Sequence, residues 1–176
     1  MRLLLGAEPF RAVLATAKQR AFHLETRDDY LTENEEPSLA AFREDETTDP
    51  GGEWFTGWQE QVTAAVARGV VMQRARIVSE PHTLYTRYLL ALTRHNVAAG
   101  EDVRYLPRRD ADPADAAADD FWLIDDDLVA YSLFDERGYW VGAASTDDPV
   151  IVSYAAEVRD RVWSASTPYA EYLQRR

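Results

Sequence analysis

The sequence predicts a mixed α/β domain in which one sheet, with a C-terminal antiparallel meander, is covered by helices. Three observations carry this. The run Phe121-Trp122-Leu123-Ile124-Asp125-Asp126-Asp127-Leu128-Val129-Ala130-Tyr131-Ser132-Leu133-Phe134 is an apolar strand, an acidic corner and a second apolar strand, the pattern of a tight β-hairpin. Tyr139-Trp140-Val141-Gly142-Ala143-Ala144 adds a third strand after the turn Asp135-Glu136-Arg137-Gly138. Upstream, a β-rich run from Val70 to Val78, an amphipathic helix and a strand over Asp102–Leu106 make a strand-helix-strand unit, whose strands are normally parallel neighbours.

Each element has a local cause. Val13, Leu14 and Ala17 lie at helical spacing within Phe10–Lys18, and Ala21-Phe22-His23-Leu24-Glu25 alternates as a strand does. The N-terminal Met1–Gly6 is only briefly apolar, far short of a membrane span or a signal segment. From Asp28 to Glu53 there are ten acids and one base, Arg43, the composition of a solvated connection with room for a short helix over Ser38–Phe42. Trp54, Trp58, Val62, Ala65 and Val66 mark one helix face that stops at Gly69. In the Val70–Val78 strand, Arg74 and Arg76 share one face and Ala75 and Ile77 the other. Pro81 suits the first turn of the next helix, which runs through Leu84, Tyr88, Leu92 and Val97 to Gly100. Pro107–Asp120, rich in Asp and Ala, reads as a surface loop. Asp148-Pro149 caps a last long helix bearing Ile151, Tyr154, Ala155, Val158 and Val162, broken before Pro168. Its Arg159, Asp160 and Arg161 read as the wet face. The 176 residues fit one domain, 1–176, with an acidic surface segment near 28–53 and an Asp/Ala-rich loop near 110–120.

Composition removes several chemistries. The chain has no Cys, so disulfides, thiolate metal sites and cysteine nucleophiles are excluded. Lys18 is the only lysine, which leaves almost no scope for Schiff-base chemistry or a phosphate-loop lysine. A net charge of −12 disfavours direct nucleic-acid binding and favours a basic protein partner. No membrane association and no cofactor are implied, and the reading is of a cytoplasmic protein.

Candidate sites are few. Asp125-Asp126-Asp127 offers carboxylates to a hard cation, but neighbouring strand residues point to opposite faces, and a solvated hairpin turn explains the run equally. His23, His82 and His95 match no metal-ligand spacing, so no metal site is expected. The sharper expectation concerns the ends of the strands at residues 24, 78 and 106. In open α/β sheets ligands bind beyond the carboxyl ends of parallel strands, and those ends carry Glu25, Arg27, Glu80, His82 and Arg108. These five are the candidate ligand-binding residues, with the arginines holding a small anionic group. No residue is assigned as catalytic. A structural ion-pair cluster is the competing explanation.

Several segments together resemble an uncharacterised actinobacterial family of unknown function: Ala21–Tyr30, Arg76–Pro81, Gly100–Arg108, Phe121-Trp122-Leu123-Ile124-Asp125, Arg159–Trp163 and Pro168–Tyr172. Members are typically small proteins often encoded beside helix-turn-helix regulators. The resemblance implies a regulatory setting and a DNA-binding partner, and transfers no catalytic residue. The helix before the Val70 strand, the strand-helix-strand unit and the apolar strand ending in Asp125 are more distantly similar to the phospholipase D-like fold. Its active members carry H-x-K before that aspartate, where this chain has Asp119-Asp120-Phe121-Trp122. Without the imidazole, phosphodiester cleavage by that route is excluded. The functional expectation is a non-catalytic binding or regulatory protein. Its alternatives are a small enzyme using Glu80 and His82 as acid and base, or an acidic nucleic-acid mimic.

Overall fold

The computed structural model describes residues 1–175. In chain order the elements are β1 (Arg2–Leu5), α1 (Ala7–Leu14), β2 (Arg20–Glu25), α2 (Glu36–Glu44), α3 (Glu53–Ala67), β3 (Val71–Val78), α4 (Leu84–Ala99), β4 (Asp102–Pro107), a 3-10 turn (Arg108–Asp110), α5 (Pro113–Ala116), β5 (Phe121–Ile124), β6 (Leu128–Phe134), β7 (Trp140–Thr146), α6 (Pro149–Ala165), β8 (Thr167–Pro168) and α7 (Tyr169–Gln174). The strands form one open mixed sheet in the order β1-β7-β6-β5-β2-β3-β4-β8. β2, β3 and β4 are parallel, with His23 opposite Arg74 and Glu25 opposite Arg76. The meander β5-β6-β7 joins antiparallel to β2.

Strand alternation divides the interior into two layers. On one face Phe22, Leu24, Ala75, Ile77, Phe121, Leu123 and Val129 pack under Val152, Ala155, Val158 and Val162 of α6. On the other, Leu4, Met72, Trp122, Ile124 and Ala130 meet Leu14 of α1 and Val62 and Ala65 of α3. Phe42, Phe55, Tyr85, Tyr88 and Leu92 join α2, α3 and α4 into a helical cluster above the same face. Thus α2, within the acidic segment, is anchored by Phe42.

The hairpin between β5 and β6 shows why three aspartates stand there. Asp125 and Asp126, in the three-residue loop between Ile124 and Leu128, have φ of 53° and 59°, the left-handed conformation that tight hairpin turns use and that Asp tolerates. The Asp125 carboxylate accepts from the backbone N–H groups of Lys18, Gln19 and Arg20 at 2.8, 2.7 and 2.9 Å. Among the described residues, no group of three or more His, Cys, Asp or Glu side chains has the arrangement of a metal site.

Several elements differ from the sequence reading. β1 is a strand that the short apolar N-terminus concealed, and only Leu4 of its four residues is buried. α1 stops at Leu14 rather than Lys18, because Ala17 turns inward to the core. α4 begins at Leu84 with Thr83 as its cap, the hydroxyl accepting from Thr86 N–H at 3.1 Å. Pro81 precedes that helix, in a cis bond with Glu80. The Asp/Ala-rich loop contains α5, whose Asp115 is buried against Arg161 at 2.7 Å. Arg159 is not on a wet face: its side chain is buried and pairs with Asp126 and Asp160. Among the described residues no helix is long and apolar enough to cross a membrane.

Candidate functional site

The three corners at the ends of β2, β3 and β4 do lie side by side, since their parallel registers run in step. They are laced together rather than opened. Asp28 accepts from Ser79 N–H at 2.8 Å and from the Ser79 hydroxyl at 2.6 Å. The Arg108 guanidinium donates to the carbonyls of Thr26, Ile77 and Ala116 and pairs with Asp28. Arg108 therefore closes the sheet edge as a structural clasp.

The remaining expected residues separate by direction. Arg27 is exposed and lies over the Phe134 ring, 4.2 Å from its centroid. Glu80 and His82 belong to another cluster, beside α7. Tyr172 donates its hydroxyl to Glu80 at 2.5 Å and sits 2.8 Å from His82 Nε2, while Arg109 pairs with Glu80 at 2.7 Å. The hydrogen bond from Tyr172, with help from Arg109, holds the Glu80 carboxyl below its usual range. Glu80, Arg109 and Tyr172 edge a small polar cleft of about 170 Å³. Glu25 points the opposite way. It shares the helix-covered face with His23, Arg74 and Arg76, because residues two apart in adjacent in-register strands project together.

That face holds the larger cavity, of about 270 Å³, between the sheet and α1, α3 and α4. Its floor is ionic. Glu25 receives both Arg74 and Arg76. Arg74 also pairs with Glu101 at 2.9 Å, and Glu101 in turn receives Asn96. Arg76 donates to Thr93 Oγ at 2.6 Å and to the Tyr105 hydroxyl at 3.0 Å. Two guanidiniums thus face two carboxylates, and the floor is balanced. Burial alone would raise the Glu25 carboxyl, but Arg76 and then Arg74 outweigh it and hold the group far below its usual range. Burial works against the charge of Arg76, but Glu25 and Tyr105 together outweigh it and hold the group in its charged form.

His23 stacks on Trp122 with ring centroids 4.3 Å apart, and its Nδ1 lies 3.0 Å from Arg74 Nη1. A guanidinium can only donate, so Nδ1 accepts and the proton resides on Nε2. Burial, reinforced by Arg74, pushes the imidazole well below 6.5 and keeps it neutral. As pH drops past about 6.5 the unfolded chain takes up a proton that the fold refuses, so stability is lost from there downward. Glu25 acts in the same sense at lower pH: its contribution is complete above about 4.5 and disappears as pH falls through its depressed folded value. Glu35 and Asp120, raised by burial, act oppositely. The melting temperature of His23→Gln is accordingly expected to be flatter than wild type between pH 7 and 5, measured side by side. Equal slopes would show that His23 does not titrate as described.

The walls are aromatic: Phe10, Trp54, Trp58, Trp122, Phe134 and Trp140 surround the opening, with Tyr30 and Tyr85 packed against each other at 5.8 Å. Arg74 lies 5.5 Å from the Trp58 ring and 5.6 Å from Trp122, where its charge meets their negative faces. Two further carboxylates line the cavity. Asp120 accepts from Thr26 N–H and hydroxyl, both at 2.8 Å, and from the Tyr30 hydroxyl. Glu35 Oε2 accepts from Tyr85 at 2.7 Å. Asn96 Oδ1 and Arg74 Nε, in residues only 2% and 7% exposed, have no partner among the described residues.

The sequence alone places Arg74 and Arg76 on one strand face without assigning them to a site, and reads Trp54 and Trp58 only as part of one helix face. The parity of His23 and Glu25 against Arg74 and Arg76 was the available signal. Tyr30, Glu35 and Asp120 lie outside the regular strands and helices, where no periodicity marks them.

A family model for a domain of unknown function, DUF6879, matches residues 8–174. The chain belongs to this family. The match spans β2–β4, the meander and every residue that lines the cavity. No curated protein matches this DUF6879 chain. Among solved structures it is similar to TrmBL2, described as an archaeal chromatin protein with a novel mode of DNA binding, at 14% identity and a TM-score of 0.49. That similarity covers 89% of this chain and 48% of the other, so the chain spans about half the length of that protein.

Proposed function

We propose that the chain is a non-catalytic small-molecule-binding protein whose ligand site is the aromatic cavity, not the strand-end corners. The observation that carries this is the cavity of about 270 Å³ itself, with aromatic walls above a buried, charge-balanced floor. An apolar concavity with a few fixed polar groups is the usual form of a small-molecule site. The floor argues against catalysis. A general base needs a proton affinity near the working pH, whereas Glu25 is clamped in its ionised form and His23 is held neutral. Glu80, the acid–base candidate of the rival reading, is also held below its usual range.

Charge supports a regulatory setting with a basic partner such as a DNA-binding regulator. The chain carries −12, and such an association weakens with salt. The acidic segments support mimicry of nucleic acid less well, because many of their acids are paired within the chain. Glu46 meets Arg87 at 2.7 Å, Asp49 meets Arg94 at 2.8 Å, and Asp115 meets Arg161.

The test is to incubate the protein with a small-molecule extract of its native cells, wash, denature and analyse the released compounds by mass spectrometry. Ser132 lines the cavity from β6, and Ser132→Phe fills it. Wild type is expected to retain a compound, unchanged in mass, that Ser132→Phe does not. Equal retention by both, or conversion of the compound to a product, would overturn the reading.

A further inference from the structure

The cavity's charges specify what it binds more narrowly than its shape does. Its buried cations are already committed: Arg76 to Glu25, and Arg74 to Glu25 and Glu101. At the rim, Arg11 pairs with Glu8 at 3.3 Å in solvent. Arg74 Nε and His23 Nε2 keep donors unspent, but the charge of each guanidinium is already met by a carboxylate, so an anion entering the cavity finds no uncompensated cation and the anionic ligand expected from the sequence loses its anchor.

The carboxylates are not all committed. Both Asp120 oxygens are occupied, Oδ1 by Thr26 and Oδ2 by Tyr30. Glu25 is taken up by the two arginines. Glu35 differs. Its Oε2 accepts from Tyr85 at 2.7 Å and from Thr32 at 3.3 Å, and its Oε1 has no hydrogen-bond partner among the described residues. Glu35 thus brings to the cavity wall a carboxylate with acceptor capacity unspent, beside the Tyr30–Tyr85 pair. Aromatic faces are themselves attractive to cations, more so when desolvated. A second unspent acceptor, Asn96 Oδ1, belongs to a cavity-lining residue that is 2% exposed.

We propose that this site, accepted as a binding site on the reading above, takes an aromatic ammonium compound, its ring held by the aromatic walls and its protonated amine against Glu35. A volume of about 270 Å³ lies near the lower end of the roughly 300–1,000 Å³ range of small-molecule sites and suits one or two fused rings with a short chain.

Proton linkage makes the assignment testable. Burial raises the Glu35 carboxyl above its ordinary 4.5, with the Tyr85 hydrogen bond opposing, Glu25 adding to the rise and Arg76 countering it. The groups facing it are Tyr85 from α4, Glu25 from β2, Arg76 from β3 and Thr32 from its own segment. An ammonium beside Glu35 favours the ionised form. Amine binding then expels a proton below the raised value, and affinity falls with acidification.

The experiment is calorimetric titration of the whole chain with three 3-substituted indoles: tryptamine, uncharged 3-ethylindole and anionic indole-3-propionate. Tryptamine is expected to bind at least tenfold more tightly than 3-ethylindole, and indole-3-propionate most weakly. Glu35→Gln is expected to weaken tryptamine about tenfold, to leave 3-ethylindole unchanged, and to abolish the acid-side loss of tryptamine affinity between pH 7 and 5. Equal or tighter binding of the neutral or anionic compound overturns the amine assignment and leaves the cavity as a binding site. If none of the three binds while the cavity still retains an extract compound sensitive to Ser132→Phe, the class again falls alone. If neither occurs, both readings fall. The comparison of the three indoles uses wild-type protein and stands even if Glu35→Gln does not fold.

Discussion

Glu25→Ala is expected to destabilise the protein by about 3–5 kcal/mol, the usual cost of removing one partner from a buried ion pair. The carboxylate serves two guanidiniums at once, in residues only 7% and 3% exposed. Without it Arg74 keeps Glu101, but Arg76 retains only neutral partners, Thr93, Tyr105 and the Leu89 carbonyl. A buried charge with neutral hydrogen bonds alone is far from compensated. For a chain of this size the loss corresponds to a drop in melting temperature on the order of 10 °C. Arg76→Met in the Glu25→Ala background removes the stranded charge and is expected to recover part of the loss, since apolar replacement of a whole buried pair is often close to neutral. Thermal unfolding of the wild type, the single variant and the double variant measures this. A double variant no more stable than Glu25→Ala would mean that the charge itself is not what costs.

Trp122→Ala is expected to cost about 3–5 kcal/mol, as large-to-small changes at buried aromatic sites do. Trp122 is 4% exposed and is shared between the core and the cavity. It stacks on His23 at 4.3 Å, meets Phe10 at 6.0 Å and Trp58 at 5.6 Å, and lies under Arg74. Its loss would open the cavity into the core beneath α1 and α3, so stability and ligand retention should decline together. Trp163→Ala is the control. Trp163 is only partly buried and packs on the α6 face against Phe22 and Arg104, so the variant should lower stability while retention persists. Denaturant unfolding paired with the extract assay separates the two. Retention lost equally in both variants would tie ligand loss to general loosening rather than to the wall.

The sheet's central half was legible because its signals are periodic. Alternation marked β2 and β3, tight turns marked the meander, and the strand-helix-strand order implied the parallel β3–β4 pair that the register shows. β1 was not legible. Leu3 and Leu5 are 64% and 62% exposed, so its apolar residues do not alternate with polar ones, and its partner β7 lies at the far end of the chain. The site was half legible for a related reason. That the corners after β2, β3 and β4 would meet followed from topology, but whether Glu25 turned toward them or toward Arg74 and Arg76 depended on register. Register comes from the pairing of distant residues and not from any one segment. Glu35, Asp120 and Tyr30 gain their roles only when chain segments far apart in sequence converge on one cavity.

The pairing of β1 with β7 also bears on the order of events during synthesis. Leu4 lies opposite Ala143 of β7, so β1 cannot be paired until residues 140–146 have been made. Closing so long a loop carries an entropic cost that only the finished meander can repay, and β1 must stay soluble in the meantime.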